Sequence, residues 1–294
     1  MNAVTLPNLV GTTAAARSIG DILVATGRLS QEDLIRILAQ QSQNQIPFGE
    51  AAISMGLLDK HDIDFALNKQ FDYAYLAEGD NRLSPELVAA FRPFSRVGEN
   101  LRAIRSQLML RWLTDEPARK ILAVVSPGTA EGRSYVAANL SIVFAQAGQR
   151  TLLIDADLRA TPARSQQSLF RLNQKAGLSS VLSNRSGLEV AQPVFCLPGL
   201  SVLPSGSVPP NPQELLGRAG FAQLLHKVVA QFDVILIDTP SGNTYADAEI
   251  IAARAGAALM VARKNHSLVH DTTQLAQRLQ DSGVALVGSV LNDT

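Results

Sequence analysis

The sequence predicts an α/β protein: a mainly parallel sheet with helices on both faces, preceded by a small helical repeat domain. Three observations carry that expectation. Six near-continuous apolar runs, 121-ILAVVS-126, 151-TLLIDAD-157, 200-LSVLPSG-206, 233-DVILIDTP-240, 257-AALMVAR-263 and 285-ALVGSVL-291, alternate with helical stretches; strands apolar throughout belong to sheets buried on both faces. A self-similar block near the N-terminus repeats at an offset of 29 residues, Gly20 falling on Gly49 and Gly27 on Gly56. The length, 294 residues at 46% hydrophobic and 18% charged, exceeds one small core and fits roughly two domains of ~100–200 residues.

Residues 1–16 read as a flexible N-terminus without the basic start and apolar core of a secretory signal. The repeat domain follows over 17–78. Its two copies, 18-SIGDILVATGRLSQEDLIRILAQQ-41 and 47-PFGEAAISMGLLDKHDIDFALNKQ-70, each read as a short helix, a glycine stop and a second helix. Ser30 and Asp59 are N-caps, with Asp33 and Asp62 at the third helical position, where a carboxylate favours the positive helix end. Leu34, Ile37 and Leu38, and Ile63 and Leu67 in the second copy, fall on one face. Pro85 and Pro93 mark 79–98 as a connector with one short helix near 85–91.

The α/β domain is expected over 99–294. Its first helix places Glu99, Arg102 and Arg105 on one face and Leu101, Ile104, Leu108 and Trp112 on another. In a parallel sheet the ligand site lies at the carboxyl ends of the strands, and three of those ends carry chemistry. The first strand leads into 126-SPGTAEGRSYVAANLS-141, a small-residue loop opening a helix. Backbone amides of Gly128, Thr129, Ala130, Glu131, Gly132, Arg133, Ser134 and Tyr135 and the helix dipole suit phosphate oxygens, and the Ser134 hydroxyl suits Mg²⁺. The second strand ends in Asp155 and Asp157, placed to order metal-bound water or accept a proton. The fourth ends in Asp238, a metal-site carboxylate beyond an apolar strand. Together these ends predict a P-loop nucleotide site, with Ser134 and Asp238 serving the metal ion.

Balanced charge, 26 basic against 26 acidic residues, leaves no net field for nucleic acid. The single Cys196 suits a reducing compartment. The most apolar late stretch, 250-IIAARAGAALMVA-262, is interrupted by Arg254 and too short to span a bilayer. A cytoplasmic protein reaching the membrane through a partner is expected. His266 and His270 read as residues of an exposed helix, and Arg263 and Lys264 as candidates to reach the base or a partner.

These residues resemble the bacterial tyrosine kinases that accompany polysaccharide chain-length regulators. The resemblance covers Glu99-x-x-Arg102-x-x-Arg105, the EGRS loop with VAANLS, LLIDADLR, 209-PPNPQELL-216, ILIDTP and Asp247 in 245-YADAE-249; with the repeat and 71-FDYAYL-76 it extends to the EpsG-type chain-length-determinant kinases. It implies an ATP- and Mg²⁺-dependent protein-tyrosine autokinase that regulates exopolysaccharide chain length or export with a membrane polysaccharide co-polymerase. It also implies a P-loop sheet of the deviant-Walker, MinD/ParA-like kind, Ser134, Asp155 and Asp238 as metal ligands, catalytic roles for Asp155, Asp157 and Arg133, and a ring-like homo-oligomer joined through Glu99, Arg102 and Arg105. Alternatives are a nucleotide-binding assembly factor of the same system and a MinD/ParA-type ATPase. The repeat domain resembles the N-terminal domain of type II secretion ATPases. Its copies start Ser18-Ile19-Gly20 and Pro47-Phe48-Gly49 rather than Arg-Leu-Gly, which favours protein docking over cyclic di-GMP sensing.

Two departures bear on activity. Arg133 stands where the loop normally carries lysine, and its planar fork is not a compact point charge, so binding is expected to survive better than turnover. The usual C-terminal tyrosine cluster is replaced by 289-SVLNDT-294; the tyrosines are Tyr73, Tyr75, Tyr135 and Tyr245, of which Tyr73 and Tyr75 are the candidate acceptors.

Overall fold

A computed structural model describes residues 18–70, 74–77, 79–161, 163 and 165–293. The chain divides into two compact units, Met1–Tyr73 and Ala74–Thr294. The flexible segment expected over 1–16, and Tyr73, lie outside the described residues.

The first unit contains α1 (Ile19–Ala25), α2 (Gln31–Asn44), α3 (Phe48–Ser54) and α4 (Lys60–Gln70). Ser30 Oγ accepts the Asp33 amide at 3.0 Å, and Asp59 Oδ1 accepts the Asp62 amide at 2.8 Å, so both copies of the second helix start on the same device. Gly27 and Gly56 follow α1 and α3 at φ of 71° and 67°, left-handed values that open freely to glycine. The core repeats the duplication: Ile22, Leu23, Leu29 and Ile37 are buried, and so are their counterparts Ala51, Ala52, Leu58 and Ala66. α1 packs chiefly on α4 and α2 on α3, each copy closing on the other. Leu38, expected on the buried face, is 46% exposed; α2 buries Leu34 and Ile37 instead.

The second unit is a seven-stranded sheet of order β3-β4-β2-β5-β1-β6-β7. Its strands are β1 (Ile121–Val125), β2 (Thr151–Asp155), β3 (Gln192–Pro193), β4 (Leu200–Leu203), β5 (Val234–Asp238), β6 (Ala257–Arg263) and β7 (Ala285–Asn292). All pairings are parallel except β3 with β4. The two-residue β3 is too short to show a strand period in the sequence. Alternate residues serve opposite cores. On one face Leu122, Val124, Leu153 and Leu236 meet α5 (Val88–Phe91), α6 (Arg96–Arg111) and α7 (Arg133–Gln146). On the other, Ala123, Ile154 and Ile237 meet α9 (Leu178–Leu182), α10 (Pro212–Gly217), α11 (Ala219–Val228), α12 (Asp247–Ala255) and α13 (Val269–Asp281).

Residues 79–98, expected as a connector, contribute Leu83, Leu87, Ala89, Ala90 and Phe91 to the first of these cores. Asn139, fully buried on α7, holds them: its Oδ1 accepts the Ala89 amide at 2.9 Å, and its Nδ2 donates to the carbonyls of Tyr135 at 3.0 Å and Glu86 at 3.3 Å. Among the described residues no helix is long and apolar enough to cross a membrane.

Asn139→Ala orphans buried backbone groups on the 86–89 segment, so the full chain is expected to lose about 2 kcal/mol. A thermal unfolding scan should show the larger unit's midpoint falling by roughly 4–8 °C; an unchanged midpoint would mean that water replaces the amide.

Candidate functional site

The loop from Ser126 to Gly132 joins β1 to α7 at the carboxyl edge of the sheet. Ala130 (φ 58°) and Gly132 (φ 89°) adopt left-handed backbone, turning successive amides toward a common side as anion-binding nests do. Gly132 is the N-cap of α7 and supplies no side-chain hydrogen bond, so the first-turn amides of a 14-residue helix stay open to a ligand. The loop borders a cleft of about 840 Å³, also lined by Asp157, Arg159 and Tyr245 and large enough for a nucleotide.

The sheet register sets Asp155 at the end of β2 directly opposite Asp238 at the end of β5, and both carboxylates are buried. Asp157 lies two residues beyond the end of β2, so its position is set by a turn rather than by the strand. Arg133, first residue of α7, reaches all this chemistry. Its Nε lies 3.3 Å from Asp238 Oδ1, its Nη2 3.4 Å from Asp157 Oδ2, and its Nη1 donates to Ser126 Oγ at 2.9 Å. The first two are ion pairs slightly longer than good hydrogen bonds. Burial pushes the Asp155 carboxyl well above the ordinary range, reinforced by Asp238 and Asp157 and opposed by the amides of Gln166 and Asp157. Burial raises Asp157 too, against the pull of Arg133.

Gln166, which sequence reasoning missed, ties these acids together. It opens α8 (Gln166–Leu169); its amide donates to Asp155 Oδ2 at 3.0 Å, and its Nε2 donates to Asp238 Oδ2 at 2.8 Å and the Ser134 carbonyl at 3.1 Å. Its Oε1 is buried and unpartnered. Nothing in 165-SQQSLF-170 distinguishes it in sequence from the glutamine that follows.

The loop is braced by the turn after β6. Arg263 Nη1 donates to the Ala130 carbonyl at 3.1 Å, His266 Nε2 contacts the Thr129 carbonyl at 3.2 Å, and Ser267 Oγ donates to Glu131, whose other carboxylate oxygen accepts the Gly128 amide at 2.6 Å. From β7, Asn292 Nδ2 reaches the Glu131 carbonyl at 3.2 Å. His266 therefore sits in a turn against the loop, whereas α13 begins at Val269; the expected pairing of His266 with His270 on one helix is corrected, because the chain turns before the helix starts. Arg263 supports the loop's outer carbonyls rather than standing free.

On the cleft's far wall Arg159 pairs with the fully buried Asp247, Nε to Oδ2 at 2.7 Å and Nη2 to Oδ1 at 3.2 Å, and stacks 4.1 Å from the Tyr245 ring centre. This bidentate pair fixes the start of α12 against the end of the 155–159 turn. Away from the cleft, Glu99 and Arg102 pair within α6, and Arg105 Nη1 lies 3.4 Å from the Val143 carbonyl.

Among known proteins, the chain is 32% identical to the tyrosine-protein kinase YwqD of Bacillus subtilis (strain 168) over 212 residues, covering 72% of this chain and 87% of YwqD. It is likewise 32% identical to the tyrosine-protein kinase Etk of Escherichia coli (strain K12) over 205 residues, 70% of this chain and 28% of the longer Etk. The chain belongs to the bacterial protein-tyrosine kinases. No family model matches it. Solved structures similar to this kinase include the kinase domain of Escherichia coli Etk (TM-score 0.68, 30% identity, 76% of this chain and 86% of that one) and the chimerical protein CapA2B2 (0.66, 29%, 78% and 98%). The kinase shares its sheet with the cell division ATPase MinD of Pyrococcus furiosus (0.51, 27%, 58% and 71%), a nucleotide-site architecture that the strand ends predict.

Arg159→Ala strands the buried Asp247 carboxylate, and about 3 kcal/mol of stability is expected to go with it. That corresponds to a midpoint lower by roughly 6–12 °C in calorimetric unfolding; Arg159→Lys, which keeps charge without the fork, should fall between.

Proposed function

We propose that the protein is an ATP-dependent protein-tyrosine kinase of an exopolysaccharide system, acting with a membrane polysaccharide co-polymerase. The observation that supports this best is the open N-terminus of α7 set over the Asp155, Asp157 and Asp238 carboxylates at one edge of the sheet. Phosphoryl transfer asks the protein mainly for positioning and charge compensation. The Gly128 amide is taken by the Glu131 carboxylate, so the amides of residues 129–135 hold the β- and γ-phosphates, and Asp157 accepts the phenol proton at a carboxylate that burial keeps basic for its class.

The donor set Ser134, Asp155 and Asp238 is all oxygen and fits magnesium chemically; these residues would hold the ion, which supplies charge neutralisation of the phosphates when bound. Asp238 already faces Arg133 on one oxygen and Gln166 on the other, so a cation must compete for it. The acceptor is a tyrosine of another protein or Tyr73, since the hydroxyl of Tyr75, the other expected acceptor, is buried; assembly runs through Glu99, Arg102 and Arg105. The first unit is a docking module.

A second reading, a nucleotide-gated assembly factor, gains from the ion pairs that hold Arg133 on the acids. Incubation with labelled ATP, magnesium and the co-polymerase's cytosolic segment separates the two: phosphotyrosine supports the kinase, retained nucleotide without it supports the assembly factor, and steady phosphate release without a phosphoprotein points to a MinD-type ATPase. In the same assay Arg133→Lys is expected to raise phosphotransfer by roughly tenfold, about 1.4 kcal/mol of barrier, while nucleotide affinity changes less; equal rates would remove Arg133 from the explanation. Gly132→Ala, whose Cβ would come within 2.1 Å of Asn292 Nδ2 at a left-handed φ of 89°, should abolish nucleotide binding in calorimetry while leaving the chain folded by circular dichroism.

A further inference from the structure

Cations at a cleft of acids are usually borrowed from solution, but here one is covalently present. Each of the three nitrogens of Arg133 has a separate partner: Nε on Asp238, Nη1 on Ser126 and Nη2 on Asp157. Its side chain is 10% exposed and that of Asp238 2%. The remaining carboxylate oxygen of Asp238 accepts from Gln166 Nε2, and both oxygens of Asp155 accept backbone amides. Every oxygen of these two β-strand carboxylates thus has a protein donor. Gln166 is itself locked by its second bond, to the Ser134 carbonyl.

The consequence is electrostatic. Phosphates entering a cradle next to bare carboxylates meet like charge, and a divalent ion is needed between them. With a guanidinium spread across Asp157 and Asp238, that repulsion is offset before any ligand arrives. A planar, weakly hydrated fork presents separate N–H groups to two acids from one partly dehydrated position, whereas an ammonium gathers its three donors and its charge at one strongly hydrated point with a shorter reach.

We propose that Arg133 is the resident counter-cation of the Asp157–Asp238 pair, so that the cleft binds nucleoside di- and triphosphates in metal-free form, and a divalent ion reaches Asp238 only by displacing the guanidinium. The proposal rests on the nucleotide reading above and adds the form of the ligand. It separates binding, which is indifferent to magnesium, from phosphotransfer.

Calorimetric titration of the full chain with ADP, which avoids turnover, tests this in EDTA and again in excess magnesium. Wild-type affinity is expected to agree within about threefold between the two buffers, whereas Arg133→Lys should bind roughly tenfold more weakly in EDTA than in magnesium. A wild type tightened by about tenfold or more by magnesium overturns the proposal and leaves the nucleotide site standing. Absence of heat in both buffers overturns the site reading and the proposal together. A second measurement does not depend on nucleotide: in electron paramagnetic resonance, Arg133→Ala should capture titrated Mn²⁺ at a concentration roughly tenfold lower than wild type requires. Equal Mn²⁺ binding by the two proteins overturns the proposal.

Discussion

The site depends on one constraint, the parallel register that puts Asp155 and Asp238 side by side at the ends of β2 and β5. Two carboxylates brought together under a covered sheet edge lose hydration and repel, which is why burial and its neighbours drive Asp155 so far upward. The rest of the cleft compensates for this. Gln166 and the 155–157 turn donate amides and an amide side chain to the pair, and Arg133 closes the arrangement from the loop side. Cradle and acids are therefore one electrostatic unit, because the residue that begins the phosphate-facing helix is also the acids' counter-ion.

That coupling gives the position of Arg133 its significance. A guanidinium held by three partners has little freedom to move, and its charge lies spread over Asp157 and Asp238. Behind the loop, the turn after β6 and the end of β7 hold the carbonyls of Thr129, Ala130 and Glu131, while the Glu131 carboxylate holds the Gly128 amide. Strands and turns more than 130 residues away in sequence thereby fix a loop that its own small residues would leave loose.

The first unit shows a different economy. Its copies are too short to bury an apolar face alone, and the buried sets Ile22, Leu23, Leu29, Ile37 and Ala51, Ala52, Leu58, Ala66 complete each other only when α1 meets α4 and α2 meets α3. The capping residues Ser30 and Asp59 fix where the second helix of each copy begins, and the glycines between helices fix the reversal.

The sequence by itself determined the sheet and the place of the cleft, because apolar strands, a glycine entering a helix and carboxylates at strand ends are local patterns that no alternative packing reinterprets. The repeat was legible for the same reason, in matched glycines and caps. Residues 79–98 were harder to read: their prolines signal a linker, and their buried side chains with the amides of Asn139 and Gln146 on Ala89 show that they finish the core. Gln166, Asn292 and Ser267 carry no local signature, and the motifs that hold Arg159 and Asp247 do not reveal their pairing, since these contacts act across 11 to 161 residues of chain. Tertiary structure alone decided the direction of Arg133, because a side chain with a charge and five donors goes to whichever acceptors the fold brings within reach, and those acceptors, Ser126, Asp157 and Asp238, lie at or just beyond the ends of three strands that the sequence keeps apart.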